Sequence, residues 1–253
     1  MDLIDTYKSL CTEFYDLDKP EAPRAALEYY LDEIRNSAQP ILEPMCGSGR
    51  FLIPVLEHGF DIDGTDASHE MLNSCRKRCL AKGLKPNLYY QKIQELTLPR
   101  DYGLIFIPSG SFGLITGHED ITESLKRIYD CLMPGGKLML ELMTSYQIQL
   151  GEISEKREVI RNDSSKILLT ATTCFDEMSR LQFIKCDYQN LENEKVTHEE
   201  TECIKLRLYK TNEFSDLLRY TGFSDIEALT PYTKETATEQ DDVVLFRCKK
   251  LIM

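Results

Sequence analysis

At 253 residues and 42% hydrophobic content, the chain is long enough to bury a sizeable core and has the composition of a soluble globular protein. Its formal net charge of −12 repels phosphate backbones, so no nucleic-acid partner is expected, and the run Arg76-Lys77-Arg78 reads as the solvated face of one helix. No segment approaches the length of a membrane span, and the opening MDLIDTYKSL has no basic region ahead of an apolar run, so no membrane association and a cytoplasmic location are expected. Nine cysteines without paired short spacings fit a reducing compartment. Cys75 and Cys79 lie one helical turn apart with no matching ligand pair nearby, which reads as buried thiols, and no metal is expected.

In chain order, Tyr7, Phe14 and Tyr15 come first, followed by Pro20 and Pro23, which can open a helix with Leu27, Leu31 and Ile34 on its inner face. The stretch ILEPMCGSGRFLIPVLEHGFDIDGTD, 41–66, is the most informative part of the chain. A short apolar strand ends in Glu43. The turn Met45-Cys46-Gly47-Ser48-Gly49 follows, where missing side chains let a ligand approach the backbone. A helix then starts at about Arg50, and a second strand ends at Asp66, whose carboxylate can accept hydrogen bonds from both hydroxyls of a ribose. Strand, turn, helix and acid-ended strand in this order describe an adenosyl-cofactor site. Nicotinamide dinucleotides prefer G-x-G-x-x-G, whose third glycine opens room for a diphosphate; here Phe51 and Leu52 follow Gly49.

The alternation continues with a helix over 68–81, carrying Met71, Cys75 and Cys79 on one side and stopping before Gly83, then a strand at 88–90. The apolar run 104–108 has the character of a central parallel strand buried on both faces. A helix from about Glu119 places Ile121, Leu125, Ile128 and Leu132 inward, and Pro134-Gly135-Gly136 turns the chain into a strand over 137–143. Between about 151 and 210 the character changes. Segments 166–174, 181–188 and 201–209 read as antiparallel strands joined by turns at 163–165, 176–179 and 192–195. Thr211 can then cap a helix with Phe214, Leu217 and Leu218 that ends at Gly222, and 224–229 and 243–248 read as a terminal strand pair. These elements define an α/β chain: a doubly wound, mostly parallel seven-stranded Rossmann-like sheet with helices on both faces and an inserted antiparallel β-sheet.

Glu43, Gly47, Gly49 and Asp66 resemble motif I and the following acidic loop of the class I S-adenosylmethionine-dependent methyltransferases, usually written D-x-G-x-G-x-G. Met45 stands at the first family glycine, where its carbonyl can still face the cofactor's amino group. The turn L-x-P-G-G-x-L at 132–138 and the phrase LRLYKTNEFSDLLRYTGF also resemble this family, so the likeness covers about 38–145 and 205–248. It implies S-adenosylmethionine as cofactor, held by Tyr15, Glu43, Met45, Gly47, Ser48, Gly49, Asp66, Ala67, Met71, Gln91, Ile93 and Pro108. Where the family often has an acid reading adenine, this chain has Lys92; Gln91 or Gln94 could accept the amino proton and the Ile93 amide could meet a ring nitrogen, with surface polarity as the alternative. The run 107–112 is not N/D-P-P-Y and no Pro-Cys dipeptide occurs, which speaks against methylation of nucleic-acid bases.

The resemblance divides the chain into a core over 1–150 and 206–253, with an N-terminal helical cap, and a β lid over 151–205 like that of small-molecule N-methyltransferases. The alternative for the insertion is a dimerisation or purely structural hairpin. Related lidded enzymes close an N-terminal aromatic segment over the cofactor, which favours Tyr15 and then Tyr7; otherwise these rings pack on the core. Methyl displacement from a sulfonium needs positioning above all. No unambiguous base is visible among Tyr15, Ser109, Ser111, His118 and Glu141; His118 also reads as an exposed helix-start residue, and Glu141 as a strand-end residue facing solvent or a core hydrogen-bonding group. The expected function is methyl transfer to an N or O atom of a small molecule by a monomer or homodimer. An NAD-type oxidoreductase and a non-catalytic S-adenosylmethionine-binding regulatory protein are the alternatives.

Overall fold

The order of elements is α1 (Ser9–Asp18), α2 (Arg24–Arg35), β1 (Ile41–Pro44), α3 (Leu52–Glu57), β2 (Ile62–Asp66), α4 (His69–Ala81), β3 (Asn87–Tyr90), β4 (Tyr102–Ile107), α5 (His118–Cys131) and β5 (Leu132–Met143). After them come β6 (Ile153–Ile160), β7 (Lys166–Asp176), β8 (Leu181–Glu192), β9 (Lys195–Arg207), α6 (Thr211–Thr221), β10 (Ser224–Leu229) and β11 (Val243–Lys249). This computed structural model describes residues 6–146, 148 and 151–252.

Apolar side chains alternate along β1, β4, β5 and β11 and feed a core on each face of the main sheet. Leu42, Ile105, Ile107, Leu138, Leu140 and Phe246 point toward α5 and α6; Ile41, Leu104, Phe106, Met139 and Leu245 point toward α2, α3 and α4. The sheet order is β10-β11-β5-β4-β1-β2-β3, with β11 antiparallel to both of its neighbours. Chain order reverses at the β1–β4 boundary, so the loops beyond the carboxyl ends of β1, β2 and β4 diverge and leave a crevice there.

A four-stranded antiparallel sheet, β6-β7-β8-β9, forms the second layer. Its inner face supplies Val159, Ile167, Leu169, Ala171, Cys186 and Tyr188, which pack on Leu10, Cys11 and Phe14 of α1. Phe14 meets Tyr188 edge-to-face at 5.7 Å. Helix α1 thus lies between the second sheet and α4, tied to the sheet by Asp18–Arg157 and Glu13–Arg161 and to α4 by Asp16, which takes hydrogen bonds from Ser74 and Arg78.

Three sequence expectations are corrected. The second sheet has one more strand than the composition reveals: β6, ISEKREVI, carries an unbroken charged run over 155–158 and buries only Val159, so it lacks the apolar period of a half-buried strand. The helix after the glycine turn begins at Leu52 rather than Arg50, because 47–51 form a tight turn. Thr211 is the first helical residue and not the cap; Lys210 occupies that position, and Glu213 Oε2 accepts its N–H at 3.4 Å. Ser68 does cap α4, accepting the Met71 N–H at 3.2 Å.

Candidate active site

The crevice is a cavity of about 700 Å³, within the range of small-molecule sites. Its cofactor half is built at the ends of β1 and β2. Asp66, last residue of β2, accepts the Gly47 N–H on Oδ2 and the Ser68 N–H on Oδ1, both at 2.8 Å. The carboxylate therefore ties the glycine turn to the start of α4 while keeping lone pairs for a ligand. Burial pushes its pKa up, and the backbone N–H groups of Ser68, Gly47 and Ala67 pull it back. Glu43 is 2% exposed, and its Oε2 has no hydrogen-bond partner. Burial drives the Glu43 pKa well above the ordinary value, with Arg50 opposing and Asp66 adding to the rise. A buried carboxylate oxygen with no partner beside a cavity is a place for a donor from a ligand.

The turn itself is strained where the cavity needs it. Met45, where the resembling family has glycine, sits at φ 56°, and two other non-glycine lining residues, Tyr7 and Ser109, sit at 58° and 61°. Gly47, at φ 54°, would meet only Met71 Sδ, at 3.8 Å, if it carried a Cβ. Gly49 differs: a Cβ there would lie 2.6 Å from Cys75 Sγ and 3.0 Å from Ile53 Cγ1.

Of the residues expected at a cofactor, Tyr15, Glu43, Met45, Gly47, Asp66 and Ala67 line the cavity, as do Met71, Gln91, Ile93 and Pro108. Ser48 and Gly49 do not; Ser48 is buried and its Oγ and carbonyl accept from Arg78, while Gly49 faces the helix packing. The Gln91 carboxamide closes on Thr97, donating to its carbonyl at 3.0 Å and accepting its N–H at 2.9 Å, so its oxygen is already engaged within the loop. Among the described residues the Gln94 side chain has no such bond, and the Ile93 N–H opens a turn of 3₁₀ helix, Ile93–Glu95.

Of the candidates for catalysis, Tyr15, Ser109 and Ser111 line the cavity; His118 and Glu141 do not. His118 is the exposed first residue of α5. Glu141 is 3% exposed and accepts the hydroxyls of Tyr30 and Tyr232 and the Ser109 N–H at 2.6, 3.1 and 3.0 Å. That carboxylate holds the post-β4 loop in place from within the core. Ser111 donates to the Pro108 carbonyl and Ser109 accepts from Arg50, so neither hydroxyl stands next to a base.

The sequence reading passed over several lining residues. The Arg50 guanidinium lies 5.6 Å from the Tyr15 ring centre and Lys19 Nζ lies 5.7 Å from it, which places two cations at the end of the cavity bordered by α1. Arg50 directly follows the glycine turn, a position that could have marked it; Lys19 carries no such signal. Beyond β4, Leu114, Ile115, Ile184, Ile204 and Leu206 make an apolar wall with Asp120 at its edge. Among the described residues no group of His, Cys, Asp or Glu is arranged to hold a metal, and no helix is long and apolar enough to cross a membrane.

A seven-stranded sheet with one antiparallel strand, a glycine turn after β1 and an acid closing β2 define a Rossmann-like methyltransferase fold. Residues 41–136 match the methyltransferase domain family. A protein of Geobacillus sp. (strain WCH70), named as a methyltransferase by inference, is 22% identical over 97% of this chain and 100% of its own length. Among solved structures, an S-adenosylmethionine-dependent methyltransferase from Clostridium acetobutylicum superposes with a TM-score of 0.79 at 18% identity, covering 94% of this chain and 96% of that one. The sugar N-methyltransferase KedS8 from Streptoalloteichus sp. gives 0.75 at 17% identity, covering 94% and 92%. The likeness to a methyltransferase domain is thus carried by residues 41–136, and the superpositions extend the shared fold over nearly the whole chain.

Proposed function

We propose that this protein binds S-adenosylmethionine and transfers its methyl group to a nitrogen or oxygen atom of a small molecule, with 1–150 and 206–253 as the catalytic core and 151–205 as the lid over the acceptor. The observation that carries this reading is the unpaired, buried Glu43 Oε2 sharing one cavity wall with the open backbone at Gly47 and the carboxylate of Asp66. The bound cofactor would supply an electrophilic methyl on a sulfonium. Asp66 suits the hydroxyls of a ribose, and Glu43 suits an ammonium. Arg50 and Lys19, at the Tyr15 end, suit a carboxylate. The Ile93 N–H and Gln94 remain for the base.

The acceptor half works by placement. Among the described residues no imidazole lines the cavity, Ser109 and Ser111 are hydrogen-bonded, and Asp120 stands only at the edge of the apolar wall, so orientation against that wall and exclusion of water supply most of the rate enhancement. An amine that arrives deprotonated fits such a site, and the likeness to a sugar N-methyltransferase supports nitrogen over oxygen. The oxidoreductase alternative loses ground because Phe51 and Leu52, 2% and 0% exposed, fill the place of a third glycine with packed side chains. Titration calorimetry of the purified chain with S-adenosylhomocysteine and with NADH decides between them. Binding of the former alone is expected; binding of NADH alone would overturn the reading. A labelled methyl donor offered with a panel of small amines and alcohols then separates an enzyme from a binding protein.

A further inference from the structure

Helix α1 has no N-terminal cap of its own. Its capping position is Lys8, whose side chain makes no capping bond, it has no acid in the first turn, and the backbone N–H groups at its start take acceptors from elsewhere. They come from β9, 190 to 195 residues along the chain. Glu202, 1% exposed, accepts the Tyr7 N–H at 2.8 Å and the Lys8 N–H at 2.6 Å. Glu200 accepts the Leu10 N–H at 2.8 Å and the Ser9 hydroxyl at 2.6 Å, with His198 Nε2 at 3.3 Å from the same carboxylate. On the other side the Tyr7 carbonyl accepts the hydroxyl of Ser68, the residue that caps α4 and donates its N–H to Asp66. Tyr7 is thereby clamped through its backbone between the second sheet and the end of β2, in a left-handed conformation that a tyrosine adopts only when its surroundings impose it.

The same face of the same strand reaches the acceptor. Residues 200, 202, 204 and 206 of β9 point inward, and just past the two carboxylates Ile204 and Leu206 line the cavity, with Cys203 and Lys205 beside them. Thr6, Tyr7, Tyr15 and Lys19, on and around α1, line its cofactor end. One strand therefore walls the acceptor half and fastens the segment that walls the cofactor half.

We propose that Glu200 and Glu202 are positioning residues that hold the start of α1 closed over the cofactor, so that cofactor exchange requires β9 and α1 to part. The inference rests on the reading of the cavity as an S-adenosylmethionine site. The experiment uses the full chain, with S-adenosylhomocysteine as probe, and follows two signals: hydrogen exchange at the amides of Tyr7, Lys8 and Leu10, and the ligand's dissociation rate by stopped-flow displacement. In Glu202→Gln the amides should lose protection and release should quicken about tenfold. Glu200→Gln, at the more open end of the clamp, should show the same in smaller measure and serves where Glu202→Gln does not fold. Lost protection with an unchanged release rate would make the carboxylates merely structural caps and overturn the proposal, as would unchanged protection. A parent chain that does not bind S-adenosylhomocysteine overturns the cofactor reading first and this inference with it; a parent that binds beside variants that release at its rate overturns the clamp alone.

Discussion

Gly47 and Gly49 lie two positions apart in one turn and serve different ends. Both have positive φ, 54° and 84°, where any other residue pays about 1–2 kcal/mol. At Gly47 that strain is the whole structural penalty, because a methyl group would meet only Met71 Sδ and would otherwise stand in the cavity. At Gly49 a methyl group would collide with Cys75 and Ile53, where α3 and α4 pack closely. We expect Gly47→Ala to lose about 1–2 kcal/mol in urea unfolding and most of its affinity for S-adenosylhomocysteine, and Gly49→Ala to lose clearly more stability. Equal stability losses, or full ligand affinity in Gly47→Ala, would refute this division. A bulkier probe such as Gly47→Val would confuse the two effects, since a β-branched residue is poorly accommodated at positive φ.

The β1–turn–β2 unit was legible in the sequence because all of its signals are local: an acid-ended strand, glycines at fixed offsets and a second acid where β2 must end. The same holds for β4 and α5, whose apolar runs and helical spacing need no partner to be read. What escaped depends on distant or unsigned contacts. Strand β6 carries a run of charged residues, and its place in the sheet comes from pairing with β7. For Glu141 the sequence leaves a solvent-facing strand end and a core hydrogen bond open, and Tyr30 and Tyr232, reaching it from α2 and from the loop beyond β10, decide for the core. The α1–β9 clamp joins residues more than 190 positions apart. Helix α1 is the element most dependent on such contacts, since its apolar face packs on the second sheet. Phe14, 4% exposed, anchors that face, and its removal costs about 3–5 kcal/mol where the cavity cannot collapse. Because α1 borders the rest of the core chiefly through α4, the loss should appear first as detachment of α1. Phe14→Ala is therefore expected to expose the amides of α1 to exchange and weaken S-adenosylhomocysteine binding before the main sheet melts. The same dependence bears on excision of 152–205, which would strip α1 of its packing surface and the Glu200 and Glu202 caps, so cofactor affinity should fall along with acceptor turnover.

On the scale of the molecule, ionisation divides into an acid limb and a neutral limb. The surface carboxylates Asp61, Asp163, Asp176, Asp187 and Asp241 have pKa values lowered by hydrogen bonds, with Arg100 the donor at Asp61. Stability from these groups is present above their ordinary value of 3.8 and is lost as pH falls through their lower folded values. Buried Glu43 acts in the opposite sense. Its folded pKa is raised well above 4.5, so the folded state holds this proton more tightly than the unfolded chain does. Its contribution is therefore complete below pH 4.5 and is lost as pH rises toward the folded value, at up to about 1.4 kcal/mol per pH unit. Asp66 and Glu141, also raised by burial, add to the same limb, but their backbone and tyrosine hydrogen bonds offset part of the rise, whereas one oxygen of Glu43 has no partner. Glu43→Gln removes the titrating group while keeping its shape. Urea unfolding of the ligand-free protein at pH 5.5, 7 and 8 should show the parent losing stability across that range and the variant losing less, so that the gap between them narrows or reverses toward pH 8. Parallel curves would show that Glu43 is already ionised in the fold and that its oxygen is compensated by Arg50.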